Sequence, residues 1–315
     1  MKQPKPFLSH ALEPAHSAAR ALPPRPEFIG LSAEEVAARK AARDLRDAQV
    51  RGVTSVAGMR QAIREASAVL PTVREIVRIG PQKTAAFRER ARAGLPFIMT
   101  GMASRWPLAA MSMEDLRKHF GQLPVRARVG DYINTAFAPD RAMQDMTLVD
   151  YLERAMADES GLPPYLGNLE LRALNALCHW PNFFEKMGPP RFWIGPAGCI
   201  TPLHCDYDDN VFAQVWGKKR VWLAPPHHDQ YLYPKEANAI LFGSPFDPDH
   251  PDLERYPLAR QAALVCCDVQ PGEMLYIPAG WYHQVSSLSF SLSSNRWARG
   301  RPLVLAAAES AGSKC

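Results

Sequence analysis

Beyond Tyr165 the sequence is a succession of short segments that read as strands: "RFWIGP", "TPLHCD", "NVFAQVWG", "KRVWLAPP", "EMLYIPAG", "YHQVSS" and "FSLSSNRW". Gly and Pro punctuate them. Short strands divided in this way point to an antiparallel sandwich or barrel. The helical signals gather ahead of them, which fits a β core with helices packed outside.

Those earlier signals carry their own chemistry. Residues 1 to 30 are proline-rich without periodicity and read as a loose arm. "LSAEEVAARKAARDLRDAQV" then begins a helix: Ser32 is an N-cap, Glu35 completes a capping box, and Leu31 with Val36 forms a hydrophobic staple around it. A second helical stretch, "GMRQAIREASAVL", ends at Pro71. From residue 72 the texture changes. "TVREIVRI" reads as extended, "TAAFRERARAG" as a helix closed by Gly94, and "PFIMTG" as a short buried strand. Two more capped helices follow, one from Ser112 with Asp115 at N3 and ending at Gly121, the other in "TLVDYLERAM". This divides the chain into a proline-rich arm with basic helices (1–71), a β domain (72–298) and a short tail (299–315).

A chain of 315 residues, 47% hydrophobic and 22% charged, has the material for a sizeable core. No window approaches the roughly 18 consecutive apolar residues of a membrane span. The first thirty residues lack the apolar core of a secretory signal, and Glu13 and the prolines count against a transit peptide. The six cysteines include no CxxC spacing and suggest no disulfide framework, so they read as free thiols of a cytoplasmic protein. The net charge of +5 is unevenly spread. Residues 1 to 100 hold 17 Lys and Arg against 9 Asp and Glu. Arg39, Arg43 and Arg46 share one face of the first helix. Such a stripe can be a solvated face, or it can attract an acidic peptide or a phosphate backbone.

The sharpest chemical signal is "TPLHCD". His204 and Asp206 are two apart, so on a strand they point to one side while Cys205 points to the other. His283, in "PAGWYHQV", offers a third ligand from a distant strand-like segment. Two His and one carboxylate on one face of a metal leave positions opposite, the arrangement of non-heme Fe(II) oxygenases. An HxD alone is a weak signal. It gains weight from Lys219, fifteen residues after His204, which follows a turn at Gly217 and begins what reads as a returning strand. Facing the same cavity, it could hold the distal carboxylate of a chelating 2-oxo acid. Lys218, one residue off, would face away. His179 reads as structural, and His227 and His228, after a Pro-Pro turn, as exposed loop residues.

Together, "LPFIMTGMASRWPL", "TPLHCDYDDNVFAQVWGKKRVWLAPP", "YLYP", "DPDHPDLERYP" and "VQPGEMLYIPAGWYHQVSSLSFSLSSNRW" resemble the JmjC-type, cupin-like Fe(II)- and 2-oxoglutarate-dependent oxygenases. The resemblance is to the protein hydroxylase subgroup that includes the asparaginyl hydroxylase of hypoxia-inducible factor, and it brackets residues 85 to 298. It implies a double-stranded β-helix, or jelly roll, built mainly of β structure with helical decoration and preceded by an N-terminal helical region. It makes His204, Asp206 and His283 the iron ligands and Lys219 the partner of the 2-oxoglutarate distal carboxylate. Thr201 and Tyr165 match positions that hydrogen-bond that carboxylate. Asn210 and Asn295 match amides lining the metal and co-substrate region, and Trp297 an aromatic near the substrate entrance.

The reaction so implied uses Fe(II), 2-oxoglutarate and O2, releases succinate and CO2, and leaves a hydroxylated carbon on a protein or peptide side chain. Rival readings are a tRNA-base hydroxylase, favoured by the basic first hundred residues, a lysine demethylase, and a non-catalytic cupin that binds metal and a partner. Several members of the family dimerise through a helical C-terminal extension. Here only "ARGRPLVLAAAESAGSKC" follows Trp297, which leaves a homodimer open.

Overall fold

A computed structural model describes Ala38 and residues 56–305, apart from 82–83, 139–140, 158–160, 185, 239–240 and 301. The capped helix read from Ser32 and its arginine stripe lie outside the described residues, save Ala38, which is helical. The strands are β1 (Arg78–Ile79), β2 (Phe97–Met99), β3 (Pro124–Arg128), β4 (Met143–Thr147), β5 (Leu166–Leu169), β6 (Arg191–Gly195), β7 (Ile200–Asp206) and β8 (Asn210–Trp216). They continue as β9 (Lys219–Ala224), β10 (Lys235–Asn238), β11 (Leu241–Gly243), β12 (Val265–Val269), β13 (Met274–Ile277), β14 (Tyr282–Ser287) and β15 (Ser291–Trp297).

They form a seven-stranded sheet in the order β1-β2-β13-β8-β15-β6-β5, a six-stranded sheet β10-β11-β7-β14-β9-β12, and the separate pair β3-β4. Two facing, largely antiparallel sheets with helices outside make the jelly roll that the sequence leads one to expect. Alternation explains the layering. On β8, Asn210, Phe212 and Gln214 point between the sheets. Val211, Ala213 and Val215 join the outer apolar layer, with Phe87 of the helix Thr84–Arg92 and Tyr276 of β13. Phe212, Val221, Leu223, Leu275, Ile277 and Val285 form the inner layer. A strand buried on both faces reads as a largely apolar run, and "NVFAQVW" is one broken only by the buried polar Asn210 and Gln214.

The helix Val56–Ala68 covers the other sheet: Met59 and Ile63 pack with Leu203, Cys205 and Tyr282. Arg60 and Arg64 on the same helix pair with the buried Asp229. This helix is therefore bonded into the β core, on the far side of the 71/72 division drawn from composition. The capping box at Ser112 is present, with Ser112 Oγ accepting from the Asp115 amide and the Asp115 carboxylate accepting from the Ser112 amide. Thr147 caps the helix Leu148–Met156. In "TVREIVRI" only Arg78–Ile79 pairs as a strand.

One expectation is corrected. Gly217 does not close a hairpin between β8 and β9, because β8 belongs to the seven-stranded sheet and β9 to the six-stranded one. The turn carries the chain across the sandwich. Its φ is +68°, and a Cβ there would stand 2.0 Å from the Phe290 carbonyl oxygen, so only glycine fits.

Candidate functional site

His204 and His283 are direct cross-strand partners on β7 and β14. Their rings lie 4.2 Å apart between centroids. Asp206, two residues along β7, shares the face. Each of the three offers one ligand atom, and those atoms lie within 4.8 Å of one another, all buried. Cys205 packs on the opposite side with Leu203 and Tyr207.

Each imidazole is oriented by a backbone carbonyl. His204 Nδ1 bonds the Pro202 oxygen at 2.8 Å and His283 Nδ1 the Trp281 oxygen at 3.0 Å. A carbonyl only accepts, so Nδ1 carries the proton and Nε2 keeps its lone pair for the centre of the group. Burial pushes both imidazoles down to about 4, so they are neutral near pH 7, the form that ligates a metal. Burial also pushes the Asp206 carboxyl above its usual range, against the pull of His283 and of the Trp297 hydrogen bond. That bond, from indole Nε1 to Asp206 Oδ2, is 2.8 Å long. The donor set fits a divalent transition metal: two neutral imidazoles and a carboxylate that, among the described residues, forms no salt bridge.

Lys219 stands at the other end of the same space, 1% exposed. Its Nζ donates to Ser293 Oγ at 2.9 Å and to the Tyr165 hydroxyl at 3.3 Å. Among the described residues no carboxylate pairs with it, and burial pushes the ammonium down to about 7. Lys218 is half-exposed and lies outside the cavity. The reason is register. Lys219 faces Ser287 and Leu223 faces His283 on β14, so Lys219 and His283 share a face of one sheet.

Thr201 reaches the cavity by a different route. By simple alternation it would point away from His204. A bulge shifts the β7–β14 register between His283, paired with His204, and Val285, paired with Thr201. The extra residue turns Thr201 to the inner face, where it lines the cavity together with Tyr165. Asn295 and Asn210 bond side chain to side chain at 3.2 Å, and Trp193 Nε1 donates to Asn295 at 2.8 Å.

A cavity of about 250 Å³ is lined by all nine residues singled out in the sequence. It also takes in residues that sequence reasoning passed over: Arg128, Phe137, Arg141 and Trp193. Phe137 lies over His204, with ring centres 5.1 Å apart. Two minor readings change. His227 and His228 are half-buried in a 3-10 turn, and His228 Nδ1 accepts from the Ala263 amide. His179 is exposed, contributing its backbone oxygen to Trp106.

Fold and site together define a jelly roll with a two-histidine, one-carboxylate group and a buried lysine in a single cavity. The chain belongs to the cupin-like domain family, whose model matches residues 83–302. It is 32% identical over 216 residues to the lysine-specific demethylase JMJ30 of Arabidopsis thaliana, covering 65% of this chain and 50% of that one. It is 32% identical over 162 residues to the human bifunctional peptidase and (3S)-lysyl hydroxylase JMJD7, covering 44% and 49%. Over 118 residues it is 38% identical to the human tRNA wybutosine-synthesizing protein 5, covering 37% and 36%. The chain thus spans half or less of the length of these relatives.

Proposed function

We propose that this chain is an Fe(II)- and 2-oxoglutarate-dependent oxygenase that hydroxylates a protein or peptide side chain. The observation that carries the reading is the pairing of two poles in one cavity: the His204–Asp206–His283 group at one end, and at the other a buried lysine that pairs with no carboxylate among the described residues. A 2-oxo diacid has a chelating end and a distal carboxylate, and these two poles match them.

In this reading His204, His283 and Asp206 hold the iron, with Trp297 steadying the Asp206 carboxylate. Lys219, Tyr165 and Thr201 take the distal carboxylate, which would complete the bonds that the lysine lacks. Asn210 and Asn295 hold each other at the cavity wall, and Phe137 and Trp193 limit the access of water. Bound there, Fe(II) supplies the redox chemistry that turns O2 and 2-oxoglutarate into succinate, CO2 and a hydroxylated carbon. The protein contributes ligation, orientation and a dry site.

A side-chain hydroxylase is supported by the lysyl hydroxylase among the relatives. A second reading, a tRNA-base hydroxylase, draws on the 38% identity to the wybutosine-synthesizing protein and on the basic first hundred residues. Its mark would be affinity that falls steeply with salt. A lysine demethylase would share the site. A non-catalytic cupin has no evident use for the buried Lys219. The deciding experiment is to supply Fe(II), 2-oxoglutarate and O2 and to measure succinate and bound iron in the wild type and in Asp206→Ala. Succinate from the wild type and none from the variant is the expected result. No succinate from either, with iron retained, would leave a metal-binding cupin.

A further inference from the structure

The Arg128 guanidinium is a buried cation for which the chemistry above has no role. It is 5% exposed and lines the same cavity as the His204 group and Lys219. Its Cζ lies 5.8 Å from the ring centre of Tyr165 and 5.3 Å from that of Trp193. Room for it depends on Gly167, where a Cβ would stand 2.9 Å from Arg128 Cζ and 3.0 Å from the Trp193 ring. Among the described residues no carboxylate pairs with Arg128, and its Nε has no hydrogen-bond partner. Arg141 lines the cavity too and adds charge of the same sign.

Burying an ion without a partner is strongly unfavourable, so a guanidinium held this way marks a place that an anion from outside completes. The co-substrate does not supply it. A divalent metal and the Lys219 ammonium, less the Asp206 carboxylate, leave two positive charges, which the two carboxylates of 2-oxoglutarate neutralise. Arg128 remains over. Its planar fork matches a carboxylate with two parallel hydrogen bonds, and a carboxylate is small enough for a cavity of about 250 Å³ that must also hold the co-substrate.

We propose that Arg128 is a specificity-determining residue of this cavity and that it takes a substrate carboxylate, the side chain of an aspartyl or glutamyl residue in a peptide. This rests on the oxygenase reading given above.

The test uses the whole chain loaded with Mn(II) and N-oxalylglycine, an inert analogue of 2-oxoglutarate. Fluorescein-labelled short peptides that differ only in a central Asp, Glu, Asn, Gln or Lys are titrated by anisotropy. An acidic peptide should bind about tenfold or more tighter than its amide isostere, less so as salt rises. Arg128→Gln should erase that preference, Arg128→Lys should keep part of it, and Arg128→Glu should shift it toward the Lys peptide. Affinity for N-oxalylglycine should hold in Arg128→Gln. A wild type that binds no peptide, or binds acid and amide alike, overturns the inference. So does an acid preference that survives Arg128→Gln, or a large loss of N-oxalylglycine affinity in that variant, which would assign Arg128 to the co-substrate. Binding of tRNA in place of every peptide overturns the peptide assignment. If circular dichroism shows Arg128→Gln unfolded, the wild-type preference and Arg128→Lys decide. A wild type that fails to bind Mn(II) and N-oxalylglycine brings down the oxygenase reading itself, so the two failures are told apart.

Discussion

His283 sits directly opposite His204 across the β7–β14 ladder, and that single register places two imidazoles, 79 positions apart in sequence, with their rings 4.2 Å from each other. A slip of one residue would send His283 to the outer face. The candidate metal group is thus a property of strand pairing, and the expectations below follow from how its neighbours are held.

Lys219→Ala should raise the 2-oxoglutarate requirement about ten- to a hundredfold, the equivalent of a charge-assisted bond of roughly 1.5–3 kcal/mol. Iron binding should be nearly unchanged. Lys218→Ala, at a half-exposed position outside the cavity, should do little. Equal effects of the two variants would refute the register argument.

Co-substrate binding should be linked to protons. Burial holds Lys219 down to about 7 in the free protein, so above that pH binding the distal carboxylate requires the lysine to take up a proton. Affinity should therefore be level below about pH 7 and fall as pH rises beyond it, and Lys219→Arg should flatten the fall. The folded-state shift is downward for a base, so between about 7 and its unfolded value the unfolded chain binds more protons. Stability of the free protein should accordingly gain from this group as pH rises through that window. Titrations with a redox-inert metal and denaturant melts across the window check the two parts.

Trp297 acts through Asp206. Trp297→Phe keeps the ring but removes the 2.8 Å bond to Oδ2. Loss of such a partner to a ligand weakens metal affinity or activity about 10- to 100-fold. Metal affinity measured by competition with a chelator is the readout that separates this role from packing. Unchanged retention with lost activity would place Trp297 with the substrate instead.

Ile63→Ala should destabilise by about 2–5 kcal/mol, since the side chain is 0% exposed and packs on the outer side of the sheet that carries His204 and His283. A truncation at residue 72 should lower the melting temperature more, because it also strips Arg60 and Arg64 from Asp229. A truncate as stable as the whole chain would show the helix to be an appendage.

What the sequence disclosed divides along physical lines. β11 and β12 lie between Arg191 and Trp297 and went unread, whereas β6 to β9 and β13 to β15 were legible because their alternation or apolar runs sit between Gly and Pro. β4 and β10 were not, since "MQDMT" and "KEAN" are partly exposed pieces with no apolar face to signal them. Although the hairpin return that was to carry Lys219 does not form, His204 and Asp206 follow from parity within a strand, as does the contrast of Lys219 with Lys218. Thr201 does not, and only family resemblance pointed to it, because a bulge at a proline-containing step reverses the parity. Arg128 left no local trace. "PVRAR" carries two arginines; one pairs at the surface with Asp145 while the other is buried, and the difference comes from Gly167, Tyr165 and Trp193, residues far along the chain.

The register of β9 on β14 also acts as a ruler. Lys219 and the residue paired with His283 are four positions apart on one strand, about 13 Å at the usual rise. That interval changes only in steps. One residue of slippage turns the lysine out of the cavity, and two move it by about 7 Å, far more than the length one carbon adds to an acid. The gauge is rigid on one axis and free on the other: on the reading proposed here, backbone pairing would fix the chain length of a bound keto-acid, while side chains at the mouth could vary without touching it.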